Sequence, residues 1–450
     1  MTRIIKPIKR INGKVNLPGD EFTSHLALVL AAISQGQSTI RNISPSKNCQ
    51  MTTRGLKQLG INIELDANQA VTSGRGAKGF IQPKEPIDFE DSKNTLYLLA
   101  GILCGLEGQS RLRGDLYLAE EFMNCLAGSL EKMGIEVEFS KGTKALIGLR
   151  NRRPAVLNFH FEEKNVLART SLQIASLSTN GYSNFIGSGF GDGKTEQMLK
   201  SFGAKLTAGY DRTTLSSETV DFRRRRKTAP QDSNYRVTIQ GNVDLVPAEL
   251  ELPKDALLSA LFASLAALIR KSQVELDDID IQGNGFQVLQ LLKDMGAQIS
   301  IKKMRKGDKL SVAQVIASSS EVRGRKVSLL QSEEALPLLS VIACFSEGAS
   351  IIRGFSGLRH GKIDKLKVIS DSLRKMGAKI GELEDGLVIE GRKTLDGADL
   401  DGKNDFSISL GLLLASLLAE DRSRLTNCER ILDFYPNLFE LLDSVCEYYK

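Results

Sequence analysis

The sequence predicts an α/β protein of two globules, each made of three β-α-β-α-β-β units arranged around buried helices. Three observations predict it. Self-similar strings recur six times along the chain, each preceded by a helix-like run that is apolar nearly all round. A second helix-like run in five of the six copies ends in an apolar residue and glycine before an alternating strand.

The turns come first in the argument because they set the period. QGQSTIRN (35–42), EGQSRLRG (107–114), NGYSNFIG (180–187), KSQVELDD (271–278), EGASIIRG (347–354) and EDRSRLTN (420–427) each join a helix-like run to a strand-like one. Their anchor residues Gly36, Gly108, Gly181, Ser272, Gly348 and Asp421 are spaced by 72, 73, 91, 76 and 73 residues. The buried helices follow: LALVLAAI after His25, LYLLAGILC after Thr95, LLSALFASLAALI after Ala256 and LGLLLASLLA after Ser409. A helix without a polar face has to be covered on every side. The second helices end in LKQLG, LEKMG, LKSFG, LKDMG and LRKMG, which puts Gly60, Gly134, Gly203, Gly296 and Gly377 where a left-handed residue closes a helix. The sixth copy lacks this mark, since the chain reaches Lys450 near where it would fall.

If the three buried helices of a globule run parallel, their N-termini converge on one face, and unpaired N–H groups with positive dipole ends suit that face to anions. Polar residues stand at these starts as candidate N-caps: Thr23 and Ser24, Ser92 and Asn94, Thr170 and Ser171, Asp255, Glu333 and Glu334, Asp405 and Ser407.

Composition excludes several classes. Over 450 residues, 60 Lys and Arg stand against 54 Asp and Glu, a net charge of +6 that is too mild to argue for nucleic acid, and 6% aromatic content without Trp gives little to stack bases on. The run Arg223–Lys227 in DFRRRRKT reads as a solvated loop inside the 91-residue interval. Six cysteines without a CxxC pair read as buried thiols, and three scattered histidines offer no metal-ligand spacing, so no metal is expected. The basic start MTRIIKPIKR leads into a strand-like stretch, and the longest apolar helix candidate, 256–269, falls short of the roughly 20 residues a membrane span needs. A soluble, cytoplasmic protein with no membrane partner is expected.

Several strings carry a resemblance: NLPGDEFTSHLAL (16–28), GDLYLAEEFM (114–123), KTEQMLKSFGA (194–204), EALPLLSVIA (334–343), LRHGKIDKL (358–366) and FYPNLFELL (434–442). In these, and in their order along the chain, the protein resembles the 5-enolpyruvylshikimate-3-phosphate (EPSP) synthases of the enolpyruvyl transferase family. The resemblance implies a two-globule inverse α/β barrel. Residues 20–250 would form the first globule and 1–19 plus 251–450 the second, with hinges near 18–20 and 250–254 and a small-molecule site in the cleft between them. It implies a monomer without cofactor or metal. It also implies the family reaction of the shikimate pathway, transfer of the enolpyruvyl group of phosphoenolpyruvate to shikimate 3-phosphate.

By the same resemblance, the chain departs from the family at the positions that carry the chemistry. Glu21 and Phe22 stand at a Lys and a Ser, Leu26 at an Arg, Lys93 at a Gly and Tyr97 at an Arg. Glu121 stands at an Arg, Leu167 at a substrate-binding Gln, Gly361 and Lys362 at a Lys and a catalytic Glu, Lys365 and Ser407 at Arg residues, and Asp433 at a Lys. Glu334 keeps a carboxylate at the place of a catalytic Asp, and Arg169 keeps a positive charge. Of nine positions the family pattern makes basic, two are basic here and three acidic. One charge interaction near 4 Å is worth about 4 kcal/mol at an effective dielectric near 20, and a reversal turns that attraction into repulsion, against about 0.3–1 kcal/mol for each helix dipole.

The expected acid–base groups are therefore Glu334, Lys362 and Glu21. Asp20, Ser24, Lys93, Thr95, Arg169, Thr170, Lys194, Arg359 and Lys365 are the expected ligand contacts. His25 is expected to be a packed helix residue, and His360 to lie near the ligand with Arg359 and Lys362. The expected function is a repurposed or catalytically degenerate homologue, or a pseudoenzyme. The alternative is an active 3-phosphoshikimate 1-carboxyvinyltransferase with a rebuilt site.

Overall fold

A computed structural model describes residues 1–66, 68–151, 154–161, 166–187, 193–210, 235–304, 311–328 and 333–449. The run Arg223–Lys227 lies outside them.

The repeat is read most directly in its second copy. Ile87–Glu90 and Gly108–Gly114 pair in parallel and are joined by the buried helix Lys93–Leu103. Glu136–Ser140 and Ala145–Asn151 then add antiparallel, so the strands lie in the order first, second, fourth, third. The third copy (Asn158–Phe161, Tyr182–Gly187, Leu206–Tyr210, Tyr235–Gln240) and the fifth (Lys326–Ser328, Ala349–Arg353, Lys379–Leu383, Gly386–Glu390) repeat this order. The parallel pair needs a long crossover, which the buried helix supplies.

In the first and fourth copies the leading strand comes from elsewhere in the chain. Ile8–Val15 precedes the helix Glu21–Ile33 in sequence but pairs in parallel with Gln273–Asp280, Val15 opposite Leu276. Glu249–Glu251 precedes the helix Ala256–Leu268 but pairs in parallel with Gln35–Arg41, Thr39 opposite Glu249. The sixth sheet has three strands. Thr2–Ile5 pairs antiparallel with Ser423–Thr426, and Asp399–Asp401 completes it. The last strand, Cys446–Tyr448, joins Ile8–Val15 instead and makes the fourth sheet five-stranded.

The chain divides into two compact units, Met1–Glu21 with Ser44–Lys47 and Leu252–Lys450, and Phe22–Ile43 with Asn48–Glu251. They are called the terminal and the central unit below. The range 20–250 expected for one globule is thus interrupted at Ser44–Lys47.

Three helices are buried in each unit: Glu21–Ile33, Lys93–Leu103 and Val166–Ser176 in the central one, Ala256–Leu268, Leu336–Cys344 and Phe406–Leu418 in the terminal one. From Phe406 to Leu417 every residue is buried. Several serines these helices carry inward spend their hydroxyls on the helix itself: Ser264 donates to the Ala260 carbonyl, Ser340 to that of Leu336 and Ser416 to that of Leu412. Gly411 is a glycine because a Cβ there would overlap Pro337 of the neighbouring helix. The five helix-closing glycines hold φ between 79° and 101°.

The second helix of the second copy is not one piece. Leu116–Phe122 passes into a π-turn, Met123–Ala127, before Gly128–Lys132. Among the described residues no helix is long and apolar enough to cross a membrane, and no three His, Cys, Asp or Glu side chains form a metal-holding group.

Candidate functional site

In the central unit the candidate residues gather at the starts of the buried helices. Ser92 caps Lys93–Leu103, accepting from Thr95 N at 3.2 Å, and the Thr95 hydroxyl reaches Ser92 Oγ at 2.8 Å. Thr95 Oγ1 also lies 2.8 Å from Thr52 Oγ1, which lies 2.7 Å from His25 Nδ1, and all of these side chains are buried. Lys93, the first residue of the helix, forms an ion pair with Glu121 and sits 6.0 Å above the Tyr97 ring. Tyr97 is fully buried, edge-on to Phe122 at 5.3 Å. Lys93 and Glu121 therefore neutralise each other, while Tyr97 fills core volume.

Around the third buried helix the polar groups are also buried. Arg169 and Glu196 form an ion pair at 3.9 Å with side chains 5% and 3% exposed. Glu196 Oε1 accepts from Gln173 Nε2 at 2.8 Å, and Thr170 Oγ1 lies 2.9 Å from Thr195 Oγ1. Lys194 Nζ stands 5.8 Å over the Phe22 ring. Thr170 and Ser171 are not N-caps as the sequence suggested. The helix already begins at Val166, so they lie in its second turn, where Ser171 donates to the Tyr97 carbonyl at 2.6 Å. Thr23 and Ser24 likewise lie inside a helix that starts at Glu21, and Ser24 is fully buried.

In the terminal unit carboxylates dominate. Asp255 caps Ala256–Leu268, its Oδ1 accepting from Leu258 N at 2.7 Å and from Tyr435 Oη at 3.0 Å. Burial, then the neighbouring Asp20, push the Asp255 carboxyl up to about 7, against the two hydrogen bonds and helped by Glu21. Burial and Asp255 hold the Tyr435 phenol well above its usual range, with Glu21 and Glu334 adding to the effect. Asp20, Glu21 and Glu334 are thus brought to one place, with Asp255 and Tyr435 as members that the sequence reading did not join. Asp255 stood out only as a cap, and nothing in spacing relates it to a tyrosine 180 residues on. Beside them Phe406 stacks on Phe434 at 3.8 Å and meets Tyr435 edge-on at 5.6 Å.

Lys365, Arg359 and Arg430 of this unit are engaged. Lys365 pairs with Asp405 at 2.9 Å and donates to Ser407 at 3.0 Å. Burial alone would raise the Asp405 carboxyl, but Lys365, the Ile408 N–H and Ser407 outweigh it and hold it below the usual range. Arg359 reaches Asp364 at 3.0 Å, Glu382 at 3.3 Å and the Glu384 carbonyl at 2.8 Å, which ties the turn Ser356–Arg359 to the strand Lys379–Leu383 and the turn after it. Asp433 pairs with Arg430 at 3.1 Å. Lys362 and Glu334 lie exposed.

The sequence matches the profile of EPSP synthase (3-phosphoshikimate 1-carboxyvinyltransferase) over residues 5–220 and 227–442. The chain belongs to the EPSP synthase family. The break at 221–226 falls within the long interval between the third and fourth repeats. Curated members of the EPSP synthase family align over nearly the whole chain. The 3-phosphoshikimate 1-carboxyvinyltransferase of Sulfurihydrogenibium sp. (strain YO3AOP1) is 27% identical over 449 residues, 99% of this chain and 100% of that one. That of Persephonella marina (strain DSM 14350 / EX-H1) is 27% identical over 450 residues, 99% of each. Among solved structures, EPSP synthase from Acinetobacter baumannii superposes with a TM-score of 0.81 at 21% identity, covering 100% of both chains. The enolpyruvyl transferase NikO from Streptomyces tendae gives 0.74 at 16% identity, covering 99% of this chain and 98% of that one. These two likenesses carry the fold, a two-domain array of repeated sheets.

Proposed function

We propose that this chain is an EPSP-synthase-family protein whose ligand site has been repurposed or has lost the family reaction, so that it holds a cytoplasmic small molecule less anionic than phosphoenolpyruvate and shikimate 3-phosphate. One observation carries the reading: four cations expected to meet ligand already have carboxylate partners within their own unit, Lys93 with Glu121, Arg169 with Glu196, Lys365 with Asp405 and Arg359 with Asp364. A free cation 4 Å from a phosphate contributes about 4 kcal/mol at an effective dielectric near 20, whereas a paired one presents almost no net charge. The carboxylates near Asp255 add repulsion. In this reading Glu334, Glu21 and Lys362 are the acid–base candidates and Asp20 and Lys194 the remaining ligand contacts, while Ser24, Thr95 and Thr170, expected as contacts, are fully buried and support the helix starts from behind.

The deciding assay is phosphate release from phosphoenolpyruvate with shikimate 3-phosphate present, on the wild-type protein and the Glu334→Ala variant. The reading expects no release at high protein concentration. The alternative, a working 3-phosphoshikimate 1-carboxyvinyltransferase, draws on the names of the relatives that match along the full length. Turnover that Glu334→Ala abolishes would establish it and overturn the proposal.

A further inference from the structure

The hydroxyl chain of the central unit has a direction, and that direction reaches a histidine. The Thr95 hydroxyl has one proton and two acceptors on one side, Ser92 Oγ at 2.8 Å and the Asn48 carbonyl at 3.3 Å. A carbonyl can only accept. Ser92 Oγ itself accepts from the Thr95 N–H as the helix cap. With its proton committed there, Thr95 Oγ1 serves as acceptor toward Thr52, 2.8 Å away. The Thr52 proton is then committed toward Thr95, so Thr52 Oγ1 is left to accept from the ring nitrogen 2.7 Å away, His25 Nδ1.

We propose that this relay holds His25 as its Nδ1–H tautomer, and that His25 is thereby a positioning residue for the start of the helix Lys93–Leu103, fixing Ser92 and the adjoining Lys93 through Thr52 and Thr95. The relay crosses three helices: His25 on Glu21–Ile33, Thr52 on Lys47–Gln58 and Thr95 on Lys93–Leu103. His25, Thr52 and Thr95 are each 0% exposed and Ser92 is 1% exposed, so water does not compete for their protons. In this tautomer Nε2 carries the lone pair, which makes that edge of the ring an acceptor in the second turn of a buried helix. The proposal rests on the functional reading above only in treating Lys93 as a ligand-side residue. The tautomer does not depend on whether the family reaction survives.

The test is nitrogen NMR on the full-length protein with labelled histidine at neutral pH. Three histidines give a small spectrum, and His25→Gln assigns the signal. The expected result is a protonated Nδ1 and an unprotonated Nε2 for His25, kept in Thr52→Ser, which retains the hydroxyl, and lost to the opposite or a mixed tautomer in Thr52→Val. An Nε2–H tautomer in the wild-type protein would overturn the relay direction, and the wild-type spectrum alone decides this if the valine variant does not fold. A Thr52→Val spectrum identical to wild type would overturn the role of Thr52.

Discussion

Replacing Asp255 by Asn removes a buried charge from beside Asp20 while keeping the side chain's shape. The amide oxygen can still cap Leu258 N and accept from Tyr435, since Asn is as good an N-cap as Asp. In an unfolded chain an aspartate titrates near 3.9, and burial beside Asp20 lifts it here to about 7, a rise of about three units or about 4 kcal/mol. The sign follows from proton counting. Between about pH 4 and pH 7 the native state holds a proton that the unfolded state has released, so unfolding becomes easier as pH rises through that window. The Asn variant escapes this loss. Its melting temperature should match wild type near pH 4, rise above it by increasing amounts toward pH 7, and then stay level at about 10 °C higher, taking about 2–4 °C per kcal/mol for a unit of this size. Scanning calorimetry at half-unit pH steps measures it. An offset that does not change with pH, or a variant less stable than wild type at pH 8, would refute the burial argument.

Other consequences are more local. Lys365→Met strips the partner that holds Asp405 below its usual range, so it should cost about 1–2 kcal/mol at pH 7. That cost should shrink as pH falls toward protonation of Asp405, since stability from a depressed carboxylate is present above its unfolded value and lost on acidification; denaturant midpoints followed from pH 7 into the acid range check both. Gly285→Ala would drive a Cβ into the backbone at Leu257, at the start of Ala256–Leu268, and should destabilise the terminal unit far more than the roughly 1 kcal/mol centre of the range for point changes, read as soluble yield and melting temperature.

Much of the fold is legible locally. A helix apolar on all sides declares its burial whatever covers it, and Leu410 to Leu414 are buried throughout. The closing glycines are legible because a left-handed backbone is a property of one residue and its turn. The helix starts are less so: Thr170 and Ser171 have cap chemistry, but helical geometry extends a turn further back to Val166, because nothing in the short polar stretch before it forces the helix to begin later. The charges divide in the same way. That Lys93 and Glu121 carry opposite charges is plain in the sequence, while their pairing depends on the strand and second helix that bring residues 28 apart together.

What the sequence by itself determined is the repeat, its two kinds of helix and the family. Each of these depends on residue type at short range or on a pattern carried along the whole chain. Only the tertiary structure decided that Ile8–Val15 and Glu249–Glu251 complete sheets belonging to repeats they do not precede, that Thr2–Ile5 completes the sixth sheet, and that Asp255 meets Tyr435. The physical reason is that an edge strand takes whichever partner offers open N–H and C=O groups when the unit closes, and a buried carboxylate takes whichever donor closure brings to it. Neither choice is written in the neighbouring residues.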